Sequence, residues 1–474
     1  MSGKMTVAHL ATEKEFPHFT LYRTKQNGGW EYDFTRLTAF FTSRGYFIYR
    51  TSKTKFILIR IIDNIVSEIG KKELKDEIIN FLVNIDGCPE YIHQFALKDI
   101  AKAVSDDFLE TLPAKQVEFR KDRKDAMQLY YQNCIVKITS NGVTTHKYTE
   151  LNGYIWESQI LPRDYEKCEI STTANFCRFI SNISNHDQNR VDAVCSALGF
   201  YLHNFKSETY CPAIILNDEV ISDNPEGGTG KGLLFQAIGT FIKMLQINGK
   251  KFTFEKNFLF QRCTSDTKLI FFDDVKKNFD FEQLFSIITE GIEVEKKGKD
   301  ELYYTFEDSP KIGISTNYAL RGTGNSHDRR KFELEISQYY TKKNTPEKEF
   351  GHMMFKSNWP RSEWVQFDNY MIRCCQRYLQ FGFVDQVLIH LPEKKLIAQT
   401  NTKFILFMND FDFKTTPRAD LYNSFISKFD EFLTQKYFSK QLFSKWIEVY
   451  AADKGFLVED YIYNSTRHYK FVKI

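Results

Sequence analysis

The segment from Asn224 to Gly232 has the sequence Asn-Pro-Glu-Gly-Gly-Thr-Gly-Lys-Gly. An apolar run from Pro212 to Asn217 comes before it, and an amphipathic stretch from Leu233 to Leu245 follows it. This order predicts a buried strand, a glycine loop and a helix. In such a loop the backbone N–H groups turn inward around phosphate oxygens, and the start of the helix adds the positive end of its dipole.

The loop therefore predicts a nucleotide site in which Lys231 reaches the β and γ phosphates. The usual pattern, GxxxxGK followed by Ser or Thr, is broken at both ends, by Pro225 and by Gly232. Gly232 stands where a magnesium-binding hydroxyl is expected, so weakened or lost hydrolysis is an open alternative. The residues expected to contact the nucleotide are Pro225, Glu226, Gly227, Gly228, Thr229, Gly230, Lys231 and Gly232.

A second apolar strand, from Lys268 to Asp274, ends in two carboxylates. We expect Asp273 to hold Mg²⁺ through water and Asp274 to polarise the water that attacks the nucleotide. Without the glycine loop, the same residues would be interpreted as a buried strand that ends in an acidic turn. The predicted metal and water roles of the acid pair therefore depend on the glycine loop before it.

A third strand, from Lys311 to Ser315, is followed by Asn317, whose amide is expected to hold the water beside the γ phosphate. Further on, Arg329 and Arg330 are expected to cross a subunit boundary and stabilise transition-state charge in a neighbouring site, with Arg330 as the first choice. Asn is often a turn former and an Arg pair is often a solvated surface. The evidence is therefore the order of the elements, each at the carboxyl end of an apparent strand, where open α/β sheets bind ligands.

Composition sets outer limits on the class of protein. The chain has 474 residues, 42% of them hydrophobic, so several globular domains are expected. A net charge of +3 leaves nucleic-acid contacts to local patches. No run approaches the roughly 18 apolar residues of a membrane span, and the first residues lack the apolar core of a signal peptide, so we expect a cytoplasmic protein with no membrane contact. The nine Cys show no zinc or disulfide spacing.

Short strands alternate with amphipathic helices from about residue 190 onward, which is typical of the mostly parallel sheet of an α/β protein. We expect four regions along the chain. They are an α/β accessory domain at 1–130, a connecting region at 131–195, a nucleotide-binding core at 196–385 and a C-terminal winged helix at 395–474.

The loop GGTGKG, the strand KLIFFDDV, the strand KIGISTN and the segment GNSHDRRKFELEIS resemble the superfamily 3 helicases over about residues 200 to 380. The phage primase-helicases and the poxvirus-type helicases are the most similar branches. The resemblance implies an AAA+-like P-loop ATPase core that uses ATP and Mg²⁺, forms a homo-hexamer and moves along single-stranded DNA in the three-prime to five-prime direction. It also implies a phage or other mobile element as the source and the bacterial host cytoplasm as the location. Phage members carry Gly or Asn after the motif lysine, so the resemblance implies that Gly232 is a subfamily trait more than the mark of an inactive site.

The family carries a DNA-contacting hairpin between the acid pair and the sensor strand. Here that interval contains Lys296, Lys297 and Lys299 around a glycine turn, where lysines are placed to follow successive phosphates. The alternative is an ordinary exposed turn.

The C-terminal region predicts a winged helix that binds duplex or forked DNA. The pattern consists of a helix from Ala419 to Leu433, a helix from Lys440 to Ala452, a stop at Gly455 and two short strands. Many winged helices contact proteins instead, so that alternative stays open. The expected phosphate contacts are Lys440, Lys445, Arg467 and Lys470.

Three functions are compatible with these motifs. An ATP-dependent replicative helicase explains all of them. A replication initiator or loader that binds nucleotide without hydrolysing it is the alternative that Gly232 favours. A soluble P-loop kinase would not explain the arginine pair or the C-terminal region. Because the carboxylate and His pattern of a primase is not found in the sequence, any primase is expected to be a separate partner protein.

Overall fold

The computed structural model of the chain describes residues 21–26, 30–50, 56–84, 90–219, 228–256, 258–297, 301–320, 322 and 324–474. The chain is an α/β protein, as the sequence predicts, and it contains a parallel sheet. It separates into two compact units. One comprises Met1–Asp122, Gln128–Lys137 and Val143–Tyr165, and the other comprises Arg123–Met127, Ile138–Gly142 and Glu166–Ile474. The domain boundaries expected from the sequence stay predictions.

The elements up to residue 161 form two four-stranded sheets and an aromatic helical core. The helix from Phe34 to Ser43, α1, buries Leu37, Phe40 and Phe41 in this core. Strand orders are β3-β4-β5-β9 and β10-β6-β7-β8, with β1 and β2 paired separately. The bounds are β1 (Tyr22–Thr24), β2 (Trp30–Tyr32), α1 (Phe34–Ser43), β3 (Tyr46–Arg50), β4 (Phe56–Ile62), β5 (Ile65–Glu68), α2 (Lys71–Val83), α3 (Glu90–Asp99), α4 (Asp106–Leu109), β6 (Ala126–Tyr131), β7 (Ile135–Thr139), β8 (Gly142–His146), β9 (Ile155–Trp156) and β10 (Ile160–Leu161).

A five-stranded parallel sheet forms the centre of the next part of the chain. Its strand order is β12-β13-β16-β11-β17, so β16 lies between the strand before the glycine loop and the acidic strand. The carboxyl ends of these three strands therefore lie side by side. The bounds are α5 (Asn175–Ile183), α6 (Gln188–Leu202), β11 (Ala213–Asp218), α7 (Lys231–Gly239), β12 (Met244–Asn248), β13 (Leu269–Val275), α8 (Phe285–Thr289), β14 (Gly291–Val294), β15 (Leu302–Thr305), β16 (Lys311–Thr316), α9 (Asn325–Asp328), β17 (Lys331–Ile336), α10 (Pro346–Phe350) and α11 (Arg361–Phe381).

The helix after the glycine loop is shorter than the sequence predicts. It ends at Gly239, and Leu245 belongs to strand β12 instead of the helix. Gly is a poor helix residue, and Met244–Asn248 pairs in parallel register with β13, so sheet pairing overrides the helical pattern there. Leu245 is buried in both interpretations, which is why periodicity alone did not separate them.

A helical layer supports the glycine loop. Helices α6 and α11 pack against each other at Gly199, where a Cβ atom would lie 2.4 Å from the carbonyl oxygen of Cys374. Only glycine permits this approach. Helix α5 faces the loop with Phe179 and Ile183, which lie against Gly230.

The C-terminal part contains α12 (Leu391–Gln399), α13 (Thr402–Met408), β18 (Thr416–Pro417), α14 (Arg418–Lys428), α15 (Lys440–Asp453), β19 (Phe456–Tyr463) and β20 (Thr466–Lys473). The three strands form an antiparallel sheet in the order β18-β20-β19. The two final strands and the helix stop at Gly455 agree with the sequence prediction, since α15 ends at Asp453 and Gly455, two residues later, has a φ of +81°. This part joins the parallel sheet through the buried Glu335, whose carboxylate accepts hydrogen bonds from the N–H groups of Ile389 and His390 at the start of α12.

Candidate nucleotide and DNA sites

The described part of the glycine loop contains two glycines in the left-handed backbone conformation. Gly228 and Gly230 have φ angles of +89° and +102°, which L side chains rarely adopt. Gly230 is the N-cap of α7, and a Cβ atom there would lie 3.0 Å from the Phe179 ring. Glycine is thus required at residue 230 by both conformation and packing. Pro225, Glu226 and Gly227 lie outside the described residues.

Lys231 is the first residue of α7, and only 9% of its surface is exposed. Its ammonium group forms an ion pair with Asp218 at the end of β11 and donates hydrogen bonds to Thr229 Oγ1 at 3.3 Å and Asn317 Oδ1 at 2.9 Å. Burial lowers the pKa of Lys231, while the Asp218 carboxylate opposes that shift. A desolvated cation at the start of a helix is well placed to meet phosphate oxygens.

Asn317 connects the glycine loop to the acid pair. Its side-chain oxygen accepts from Lys231, and its nitrogen donates to Asp274 Oδ1 at 3.2 Å. Asp274 itself has a φ of +57°, a strained conformation for a residue other than glycine. The hydroxyl of Ser315 fixes that turn, because it accepts from the Asp274 N–H at 2.8 Å and donates to Asp273 Oδ1 at 2.9 Å.

Asp273 and Asp274 offer carboxylate oxygens of the type that binds Mg²⁺ together with phosphates and waters. The second oxygen of Asp273 accepts from Gln246 at 3.0 Å, and Asp274 Oδ2 lies 2.5 Å from the Lys250 ammonium. Among the described residues no group of three or more His, Cys, Asp or Glu side chains converges in a metal cage. Mg²⁺ is usually held by one or two carboxylates together with phosphates and waters, so these two residues fit it.

The two arginines differ in their surroundings. The Arg330 guanidinium packs over the Phe285 ring, 4.5 Å from its centre, and donates to the Ser326 carbonyl at 2.9 Å. Arg329 follows α9 and is exposed, with one hydrogen bond to the Asn325 carbonyl. Arg330 is thus tied to its own chain, whereas Arg329 faces solvent.

The lysines expected to contact DNA lie in two places. Lys296 and Lys297 are in the turn of the antiparallel hairpin β14–β15, the first half-buried and the second exposed, while Lys299 lies outside the described residues. Lys440 and Lys445 are exposed on α15.

Arg467 and Lys470 are exposed on β20, where Lys470 is paired with Glu459 at 2.9 Å. The hairpin and helix positions expected from the sequence are therefore found, and the roles of these residues stay predictions.

Sequence reasoning missed three residues of the site. The Asp218 carboxylate accepts a hydrogen bond from the Thr229 hydroxyl at 2.5 Å and forms an ion pair with Lys231. Lys250 pairs with Asp274, and the buried Lys394 donates to the Asp218 carbonyl. Asp218 had a usable signal, an acidic residue at the carboxyl end of the strand before a glycine loop. The two lysines had none, because Lys250 in the turn after β12 and Lys394 in α12 reach the site only through tertiary packing.

A cavity of about 540 Å³ lies elsewhere, between α5, α6 and α11. Its lining includes Arg178, Arg373 and Arg377 but none of the predicted site residues. The candidate nucleotide site is thus defined by the edge of the parallel sheet and not by this cavity.

The centre of the chain matches a known family model. Residues 224–330 match a family described as a family of unknown function (DUF5906), and no curated protein matches the chain. An apo structure of the NrS-1 C terminal region has 12% identity and a TM-score of 0.43, covering 93% of this chain and 100% of that chain.

A second structure of that region has 15% identity and a TM-score of 0.45, with the same coverage. The X-ray structure of JCV Helicase has 12% identity and a TM-score of 0.26, covering 47% of this chain and 64% of that chain.

Proposed function

We propose that the chain is the motor of an ATP-dependent DNA helicase that works in replication. The observation that carries this proposal is the continuous set of contacts from Lys231 through Asn317 to Asp274. It links the glycine loop, the sensor strand and the acidic strand at one edge of a parallel sheet, where ligands of α/β proteins bind. The position of β16 between β11 and β13 also agrees with an AAA+-like core.

Each residue of this set has a role in phosphoryl transfer. Lys231 neutralises the β and γ phosphates, Asp274 orients the attacking water, and Asn317 keeps the two in a fixed relation. Asp273 and Asp274 would hold Mg²⁺ through water, and the ion would neutralise charge on the phosphate oxygens when bound. Arg329 or Arg330 of a neighbouring subunit completes the site in a homo-hexamer.

Two basic surfaces support DNA as the substrate of the motor. Lys296 and Lys297 lie in the turn that follows strand β14, a position that suits residues that follow a single strand. The order of helices and strands from α13 to β20 supports the proposal of a winged helix, whose α15 and hairpin would contact duplex or forked DNA.

A second candidate is an initiator or loader in which the nucleotide only holds a ring together. The residue that favours it is Gly232, since the exposed start of α7 offers no hydroxyl to a metal ion. The two candidates differ in one quantity, the rate of ATP turnover.

The test is ATP turnover by the full chain with and without single-stranded DNA, for the natural protein, Lys231→Ala and Lys243→Ala. Lys243 is a surface lysine paired with Asp266 at 2.8 Å, so its loss should leave turnover unchanged. We expect DNA-stimulated turnover that falls on the order of 10²-fold or more in Lys231→Ala. Binding of ATP and DNA without turnover would favour the initiator or loader. Turnover that changes neither with DNA nor with the loss of Lys231 would refute both candidate functions.

A further inference from the structure

The ammonium group of Lys231 already has three acceptors within the protein. It forms an ion pair with the Asp218 carboxylate and donates to Thr229 Oγ1 at 3.3 Å and to Asn317 Oδ1 at 2.9 Å. A lysine ammonium group has three N–H donors and no more. A phosphate oxygen therefore gains a full hydrogen bond from Lys231 only by replacing one of these acceptors.

Asp218 is the acceptor with which a phosphate competes directly, because both are anions and repel each other in a buried site. Only 5% of the surface of Asp218 is exposed. When Lys231 turns away, the carboxylate keeps the hydrogen bond from the Thr229 hydroxyl at 2.5 Å but loses its ion pair. A buried carboxylate without a counter-ion is costly, so nucleotide binding is weakened unless another cation takes over.

Lys394 is a second buried cation at the same residue. It is 7% exposed, and its ammonium group donates to the main-chain carbonyl of Asp218 instead of the carboxylate. Burial lowers the pKa of Lys394, the Asp218 carboxylate opposes that shift, and the Lys231 ammonium adds to it. Both lysines thus act on one carboxylate, and only Lys231 is paired with it.

The other carboxylates that act on Lys394 have partners of their own. Glu335 accepts hydrogen bonds from main-chain N–H groups at the start of α12, and Glu219 pairs with Arg190 at 3.0 Å. Neither carboxylate loses a partner when Lys231 moves. Asp218 is therefore the group that requires a new counter-ion at that moment.

We propose that Lys394 replaces Lys231 as the counter-ion of Asp218 when Lys231 turns to the nucleotide phosphates. Lys394 is then a positioning residue of the nucleotide site, and this inference rests on the proposed function for its ligand. The exchange moves the Lys394 ammonium group from the carbonyl to the carboxylate of a single residue. Because Leu396 of the same helix is buried in the C-terminal core, the affinity for ATP depends on how α12 is docked.

The competing role for Lys394 is structural, as a donor that only satisfies the Asp218 main-chain carbonyl. The two roles differ in their response to Asp218→Asn, which removes the charge of the side chain but keeps the main-chain carbonyl and an acceptor for Thr229. If Lys394 acts as a counter-ion, its loss has no effect once the charge at residue 218 is gone. If Lys394 acts only on the carbonyl, its loss has the same effect in both backgrounds.

The experiment measures the dissociation constant of the full chain for the fluorescent analogue mant-ATP in the presence of Mg²⁺. Lys395→Met is the matched control, because Lys395 lies next to Lys394 on α12 and pairs with Glu333 instead. Lys394→Gln keeps an N–H donor without the charge. The proteins compared are the natural chain, Lys394→Met, Lys394→Gln, Asp218→Asn, Asp218→Asn with Lys394→Met, Lys395→Met and Lys231→Ala.

We expect Lys394→Met and Lys394→Gln to weaken mant-ATP binding by about tenfold, a usual coupling between charges of one network. Asp218→Asn should bind at least as tightly as the natural chain, since Lys231 then leaves no carboxylate behind. Adding Lys394→Met to Asp218→Asn should change the affinity by less than about twofold, and so should Lys395→Met alone.

Three results would overturn the counter-ion exchange. They are an equal loss from Lys394→Met in both backgrounds, natural affinity in Lys394→Gln, and a loss in Lys395→Met as large as that in Lys394→Met. If affinity depends on Lys231 but not on Lys394, only the exchange fails. If affinity depends on Lys394 as expected but the chain hydrolyses no ATP, only the motor fails. A chain that binds no mant-ATP refutes both.

Discussion

The side-chain oxygen of Asn317 lies 2.9 Å from the ammonium nitrogen of Lys231. The same amide donates to Asp274, so one side chain bridges the residue proposed to bind phosphate and the residue proposed to orient water. The phosphate end and the water end of the proposed reaction are therefore fixed relative to each other before any nucleotide binds. Fixed geometry of this kind lowers the reorganisation that the reaction requires.

Replacing Asn317 by Ala should reduce kcat for ATP by about 10²-fold, the usual effect of losing one positioned polar group, while nucleotide affinity changes little. Steady-state turnover and a separate nucleotide-binding titration measure the two quantities. Asn248→Ala is the matched control. Asn248 lies beside Asp273 at the same sheet edge, but its side chain accepts from the Lys251 N–H instead. Equal losses in both variants would refute the bridging role of Asn317.

Gly232→Ser should raise Mg²⁺-dependent turnover. A Cβ atom on Gly232 would meet nothing within 4 Å, so the side chain fits without strain and supplies the hydroxyl that the loop lacks. We expect the half-saturating Mg²⁺ concentration to fall on the order of tenfold. Gly232→Ala adds the carbon without the hydroxyl and should leave the Mg²⁺ dependence unchanged. An equal response of the two variants would mean that helix propensity and not metal binding is responsible.

Lys250→Ala should also reduce the Mg²⁺ requirement, for a different reason. The hydrogen bond and charge of Asp274 raise the pKa of Lys250, whose ammonium therefore stays on the carboxylate that a metal ion would need. The pair is exposed, so its loss should lower the half-saturating Mg²⁺ concentration by at most about fivefold. A Mg²⁺ titration of turnover measures this effect, with the neighbouring Lys251→Ala as the control. A higher Mg²⁺ requirement would show that Lys250 assists catalysis.

The parts of the site that the sequence could predict are those that local pattern determines. Strands β11, β13 and β16 are apolar runs that end in polar residues, and parallel strands place such ends together. Lys231, Asp274 and Asn317 were therefore expected to be neighbours, and their contacts agree with that expectation.

The parts that the sequence could not predict depend on contacts between distant segments. The residues of β12 continue the amphipathic pattern of the preceding helix. They form a strand because they pair with β13 in parallel register. Lys394 reaches the Asp218 carbonyl across 176 residues, and no spacing rule connects them. The choice of Arg329 over Arg330 as the residue that acts on a neighbouring site likewise depends on the Phe285 ring, which packs against the Arg330 guanidinium.

His203 should make stability depend on pH in the mildly acidic range. Burial, with a smaller contribution from the Lys311 ammonium, lowers the pKa of His203 from 6.5 to about 4. As pH falls, His203 is protonated in the unfolded chain before it is protonated in the folded chain. The stability that is present above the pKa of the unfolded state is therefore lost as pH falls toward the pKa of the folded state. Between about pH 7.5 and about pH 5 the free energy of unfolding should fall by about 2 kcal/mol from this group.

Urea unfolding at the two pH values measures this effect. The control is His203→Gln, which keeps a donor for the Arg123 carbonyl that lies 2.8 Å from His203 Nε2. An identical pH dependence in the variant would show that other groups are responsible.

Mixing two inactive variants should restore ATP turnover if an arginine acts across a subunit boundary. Arg329 is exposed at the end of α9, whereas Arg330 contacts Phe285 and Ser326 of its own chain. We therefore expect Arg329→Ala to lower turnover by about 10³-fold or more. Arg330→Ala should act partly through misfolding of its loop. An Arg329→Ala chain still has its glycine loop, and a Lys231→Ala chain still has its arginine. A mixed ring therefore contains some complete sites, and turnover should rise above that of either variant alone. Additive activity at every mixing ratio would mean that the arginine serves its own subunit, and restoration by Arg330→Ala but not by Arg329→Ala would return Arg330 to first place.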